Sequence, residues 1–207
     1  QVNKKQSKIL TTTWAMKKKA DGTYRARLNA RGFEQVPGKH FDPNSISSPV
    51  VTDVAIRVVL VLSIIFGWSS HLLDIKGAFL QGTFLNGEEL YLEVPEGMRQ
   101  FYGEEVYLLL LKTIYGLKQA AFAFWMALLS MMAKRGFVKS KIDLCVYYRW
   151  IGMELVVWIS WIDDLVILSS TNLSSFSSLV HGLLSITSSS IFSIESEITA
   201  NTRFRTI

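Results

Sequence analysis

The sequence is poor in the residues that build covalent or cysteine-bound frameworks. Cys145 is the only cysteine among 207 residues, which excludes an internal disulfide and a cysteine-based zinc site and suits a reducing compartment. Its thiol reads as a small buried hydrophobe. The three histidines, His40, His71 and His181, are isolated from one another and read as packing or surface groups. Long apolar runs are missing as well. The longest, "VVLVLSIIFGW" at 58–68, is well short of the roughly 20 residues a membrane-spanning helix needs. That shortfall decides against a membrane reading, which a hydrophobic content of 49% and a mean hydropathy of +0.26 would otherwise favour. The first forty residues are polar and basic, so no secretory signal is expected there.

Acidic residues are scarce in one region only. Residues 1–39 hold seven Lys and three Arg against Asp21 and Glu34, a net +8, which leaves 12 basic and 15 acidic residues, net −3, for the rest of the chain. The basicity is therefore local. Residues 1–13 read as a basic flexible arm. From Trp14 the interleaved Tyr24, Leu28 and Phe33 predict a hairpin turning at Asp21-Gly22. Its cations, Lys17, Lys18, Lys19, Arg25, Arg27 and Arg31, suit phosphate: the Arg fork matches phosphate oxygens and Lys supplies point charge.

Apolar periodicity places the remaining elements. Thr52 can cap a helix running to about Phe66, apolar on almost every face and so expected in the core, with Gly67 as its stop. "HLLD" predicts a short strand ending at Asp74, followed by a turn at Gly77. Alternation predicts a half-buried strand over 89–94, and helical spacing predicts a helix over 116–135 with a stop at Gly136. Strands are expected at about 144–149, 154–161 and 165–169, the last two joined across Ile162, Asp163 and Asp164. In the Ser-rich stretch after Ser169, Phe176, Leu179, Val180, Leu183 and Leu184 recur at helical spacing and predict one amphipathic helix. No element is expected beyond Glu195.

Two adjacent carboxylates, Asp163 and Asp164, interrupt the apolar run "WISWIDDLVILSS". Asp74 has the same setting, an acid at the end of a short apolar strand before a tight turn. Burying uncompensated charge is costly, so either these acids sit on a solvated surface turn or cations lie beside them. Three acids at strand ends suit Mg²⁺, which takes hard oxygen ligands and keeps positions open for phosphate and water.

Six ordered blocks then carry a specific likeness: "WAMKKKADGTYRARLNARGFEQ", "SSPVVTDVAIRVVLVLSIIFGW", "LDIKGAFLQG", "EELYLEVPEGM", "IYGLKQA" and "WIDDLVIL". Together, over about residues 14–170, they resemble the reverse transcriptase domain of copia-type LTR retrotransposons. The resemblance implies an α+β right-hand polymerase fold over 14–207, with fingers, a palm whose antiparallel sheet packs on helices, and a truncated C-terminal end at about 171–207. It implies that Asp74, Asp163 and Asp164 form a catalytic triad holding two Mg²⁺ ions, or Mn²⁺. Arg25 would grip the incoming dNTP with help from Lys18 or Lys19, and Tyr115 and Gly116 would line the nucleotide pocket. Phe79 would exclude the ribose 2′-hydroxyl, and Trp161, Arg27 and Arg31 would meet the primer and its RNA or DNA template. The remaining partner would be the rest of a Pol polyprotein, in a cytoplasmic particle or the nucleus, with no membrane.

The chain departs from the family's pattern in three places. "QAPR" followed by Trp is here "QAAFAFW", changing a Pro and an Arg to Ala121 and Phe122. "YVDD" is "WIDD", and the closing palm segment is not recognisable after Ser170. A catalytically silent nucleic-acid-binding remnant thus stands as the alternative expectation, whereas a membrane-associated structural protein would leave the six ordered blocks unexplained.

Overall fold

The computed structural model describes residues 9–85, 87–102, 106–162 and 164–170, and the backbone of 204–206. Asp163, His181 and the amphipathic helix expected around Phe176 and Leu184 lie outside the described residues. The chain is a mixed α and β protein. In chain order its strands are β1 (Ile9–Leu10), β2 (Thr12–Lys18), β3 (Tyr24–Ala30), β4 (Ser69–Asp74), β5 (Tyr91–Glu93), β6 (Tyr107–Leu110), β7 (Val138–Lys139), β8 (Val146–Ile151), β9 (Glu154–Trp161), β10 (Asp164–Ser169) and β11 (Phe204–Thr206). The longer helices are α1 (Asp53–Ile65) and α2 (Ala120–Lys134). These elements fall into two compact units, one of residues 1–47, 79–126 and 199–207, the other of 48–78 and 127–198.

In the first unit β2 and β3 form the expected antiparallel hairpin, registered from Thr12↔Ala30 to Lys18↔Tyr24. Its turn is held by Asp21, whose carboxylate accepts the hydroxyl and N–H of Thr23. Those two bonds, with Lys19 nearby, hold the Asp21 carboxyl below its ordinary range. The strands start earlier than the sequence pattern indicates: Ile9 and Leu10 pair parallel with β5, inside the stretch read as an arm. Leu10 is fully buried, and that burial outweighs the polar character of its neighbours. It joins Ala30, Leu90, Leu92, Leu108, Leu110, Ile114 and Leu117 in one core beneath the sheet β1-β5-β6-β11.

The second unit is built on a five-stranded sheet of order β4-β10-β9-β8-β7 in which every pairing is antiparallel. Val157, Ile159 and Leu168 on this sheet pack with Val51 and Cys145. Burial pushes the Cys145 thiol up to about 11, although the Ser160 side chain pulls the other way, so it behaves as the small hydrophobe expected.

Helix α1 begins where expected, with the Thr52 hydroxyl accepting the Ala55 N–H. Its predicted place in the core is not observed. Val54, Ile64, Ile65 and Phe66 are 64–79% exposed, and Ser63 is the helix's one buried residue. Ala55, Ile56 and Val59 cover the sheet's core, so one face meets a neighbour and the rest stays outside, whatever its polarity. Helix α2 starts at Ala120 rather than 116 because Gly116 sits at φ +89°, outside helical backbone. It ends as expected before Gly136, whose φ is +73°.

Candidate active site

The alternation of β10 sends Leu165, Ile167 and Ser169 to one face of the sheet, all buried, and Asp164, Val166 and Leu168 to the other. Asp164 is the first residue of β10 and Asp74 the last of β4, and their Cα positions pair directly. Asp164 also pairs with Trp161 across the β9–β10 hairpin. Directly opposed residues of an antiparallel pair share a face, so two carboxylates and an indole stand together at this sheet end. Both acids are solvent-exposed. The desolvation expected of acids within an apolar run is therefore absent: the run buries its alternate residues and leaves the acids at the tip. Their mutual repulsion remains, since like charges directly opposite on a sheet are destabilising. Asp163, the third expected acid, lies outside the described residues. Among the described residues no group of three or more His, Cys, Asp or Glu side chains is placed to hold a metal ion.

The hairpin tip also carries backbone strain. Two residues separate Trp161 from Asp164, and Ile162 has φ +55°. A left-handed conformation suits glycine or asparagine in such a turn, whereas a β-branched side chain there costs on the order of 1–3 kcal/mol.

In the first unit the register of the basic hairpin sorts its cations. Lys17 pairs with Arg25 and Ala15 with Arg27, so Lys17, Arg25 and Arg27 occupy one face. Lys18 is on the opposite face, its ammonium 5.4 Å from the Tyr24 ring centre. Lys19 follows the strand, bonded through its backbone within the turn. Three cations on one face, two of them directly opposed, are the positive counterpart of the acid pair. Lys17 was not singled out from its neighbours in the sequence, because a run of three lysines does not reveal which faces Arg25.

Arg27, expected at primer and template, has its guanidinium over the Tyr115 ring, 4.8 Å from the centre. Phe79 meets the same ring edge-on, with centroids 5.3 Å apart and planes at 61°. The loop bearing Tyr115 is pinned by backbone. The Ala30 N–H donates to the Tyr115 carbonyl, and a Cβ at either Gly116 or Gly32 would collide with a carbonyl of the facing segment, Ala30 or Gly116 respectively. Gln35 accepts the Lys118 N–H at 2.8 Å and bonds the Gln119 side chain, whose amide also reaches the His40 carbonyl. Thr113 donates to the Phe79 carbonyl at 2.6 Å. The structure thus brings Arg27, Phe79, Tyr115 and Gly116 together. Arg31 stands elsewhere in the unit, lining an open groove of about 610 Å³ with Thr12, Arg99, Glu93 and Glu96, whose mixed charges single out no phosphate.

Comparison with known proteins gives this geometry a family. Residues 2–185 match the reverse transcriptase (RNA-dependent DNA polymerase) family. The chain belongs to that family. It is 36% identical over 169 residues to the retrovirus-related Pol polyprotein from transposon TNT 1-94 of Nicotiana tabacum, a match covering 79% of this chain and 12% of the relative. It is 34% identical over 164 residues to that from transposon RE2 of Arabidopsis thaliana, covering 77% of this chain and 11% of the relative. The transposon Ty1-BL Gag-Pol polyprotein of Saccharomyces cerevisiae is 27% identical over 169 residues, covering 81% of this chain and 9% of the relative. The chain therefore spans about a tenth of the length of these relatives, and the plant transposons agree with the copia-type likeness of its six motif blocks.

Proposed function

We propose that this chain is the RNA-directed DNA polymerase domain of a copia-type Pol polyprotein, transferring nucleotides from dNTPs to a primer 3′-hydroxyl on an RNA or DNA template. The observation that carries this reading is the direct pairing of Asp74 with Asp164 at a strained hairpin tip. Opposed carboxylates cost stability unless a cation joins them, and backbone strain at non-glycine residues clusters at functional sites. Their exposed oxygens fit a hard divalent ion that keeps water and phosphate ligands. Asp74, Asp163 and Asp164 would hold two Mg²⁺ or Mn²⁺ ions, which when bound would activate the primer hydroxyl and neutralise charge on the departing pyrophosphate. The β2–β3 hairpin is read as fingers and the five-stranded sheet as palm. Lys17 and Arg25 present positive charge to the triphosphate, with Lys18 and Lys19 nearby in the hairpin. Phe79 beside Tyr115 and Gly116 excludes the 2′-hydroxyl, while Trp161 meets the primer end and Arg31 the template.

A silent remnant is favoured by one observation: at the first turn of α2, where the family's pattern has Pro-Arg, Phe122 sets its ring tilted against Trp125, centroids 5.6 Å apart. Calorimetric titration with Mn²⁺, run beside primer extension, tests both readings. An active polymerase gives heat and synthesis, with both largely abolished in Asp74→Asn and Asp164→Asn. Heat without synthesis supports the remnant, and equal heat in parent and variants removes the metal reading altogether.

A further inference from the structure

We infer that Arg27 is a positioning residue for sugar selection, acting through Tyr115. This inference rests on the assignment of Phe79 to exclusion of the 2′-hydroxyl. Tyr115 is half-buried on a loop whose backbone is fixed by the Ala30 N–H and by the tight approach of Gly116 to Ala30, but backbone bonds do not fix a ring. Two contacts do. The Arg27 guanidinium lies over the ring, 4.8 Å from its centre, and the Phe79 ring meets it in an edge-type contact, centroids 5.3 Å apart. Remove the cation and the tyrosine side chain regains rotamers; Phe79 then loses a rigid neighbour and can swing from the space it closes. Arg27 is suited to this because the β2–β3 register puts it on the face of Lys17 and Arg25 while its guanidinium stands over the ring. A phosphate-gripping arginine would act on any nucleoside triphosphate alike. An arginine that holds a wall of the sugar pocket changes the ratio between two sugars.

The experiment is steady-state primer extension with matched dNTP and rNTP by the parent, Arg27→Ala, Arg27→Lys, Tyr115→Phe and Tyr115→Ala. In Arg27→Ala the kcat/KM ratio of dNTP to rNTP should fall about two- to tenfold, the range a partly exposed cation–π contact supports, mainly because the rNTP value rises. Arg27→Lys should recover part of the ratio, Tyr115→Phe should keep it, and adding Arg27→Ala to Tyr115→Ala should lower it no further. If Arg27→Ala unfolds, Arg27→Gln removes the charge at similar length and is read in the same way. A ratio unchanged in a folded variant, with both sugars used equally less well, overturns the inference and makes Arg27 a phosphate contact. A parent that takes both sugars alike, or makes no DNA, overturns the underlying reading and this inference with it; a parent that discriminates leaves that reading intact whatever Arg27 does.

Discussion

Phe79 packs against the core that holds Leu90, Leu108 and Ile114 and at the same time sets its edge against Tyr115. Packing is thus observed for the ring to which sugar exclusion is assigned by proposal, and a smaller side chain separates the two roles. Phe79→Val should cost about 1–3 kcal/mol of unfolding free energy through lost core contacts, measurable in urea. In primer extension the same variant should admit ribonucleotides roughly 10-fold more readily relative to deoxynucleotides. A folded, active variant with the parent's discrimination would leave Phe79 as core alone. At this scale the sequence was legible where residue type met an element boundary. Asp74 closes an apolar strand, and its place at the end of β4 follows from alternation and the turn after it. Facing was not legible. Whether Lys17 or Lys18 shares the face of Arg25 depends on register, and a slip of one residue exchanges the faces completely. Arg27 on Tyr115 joins positions 88 residues apart, a pairing that no local pattern encodes.

Helix α1 shows what local pattern reaches and where it ends. Thr52 caps the helix, as its position before an apolar run indicates, and the cap is itself anchored from far along the chain. Asp143 accepts the Thr52 N–H and hydroxyl on one carboxylate oxygen and the Cys145 N–H on the other, all at 2.9 Å. Asp143 is buried, which by itself raises its pKa, but the bonds from Thr52 and Cys145 outweigh burial and hold the carboxyl below its ordinary range. A depressed folded-state value means that the unfolded chain takes up the proton first. The stabilisation is thus complete above the ordinary carboxylate range and is lost as pH falls through it, from about pH 5 downward. Asp143→Asn should cost about 1–3 kcal/mol at neutral pH and flatten the acid limb of the unfolding profile; an unchanged acid limb would place the pH dependence elsewhere. The helix's exposed faces were misread for a related reason: apolar content states what a face would bury, and only the surrounding elements decide whether something covers it. The late start of α2 has a local cause, the left-handed Gly116, which helical spacing alone passes over.

Across the whole molecule the charge is divided, +8 in residues 1–39 and −3 in the remainder, and the acid pair belongs to the second unit while the cation face belongs to the first. Composition and block order made the family legible, since six motifs in sequence constrain far more than any one of them. The assignment of individual cations needed the hairpin's register. If Lys17 and Arg25 serve the triphosphate, neutralising them should act on nucleotide dependence rather than on nucleic-acid affinity. Arg25→Ala should raise the KM for dNTP roughly 10-fold or more, the scale of a charge-assisted bond to phosphate, and Lys17→Ala should raise it by a smaller factor. Lys18→Ala, on the opposite face, should leave it within about twofold. Primer–template affinity followed against salt supplies the control, because each lost phosphate contact lowers the log–log slope by about 0.9. Parallel slopes with a raised KM place the cation face on the nucleotide. A slope reduced by about one in Arg25→Ala, with KM unmoved, would instead put that arginine on the nucleic-acid backbone.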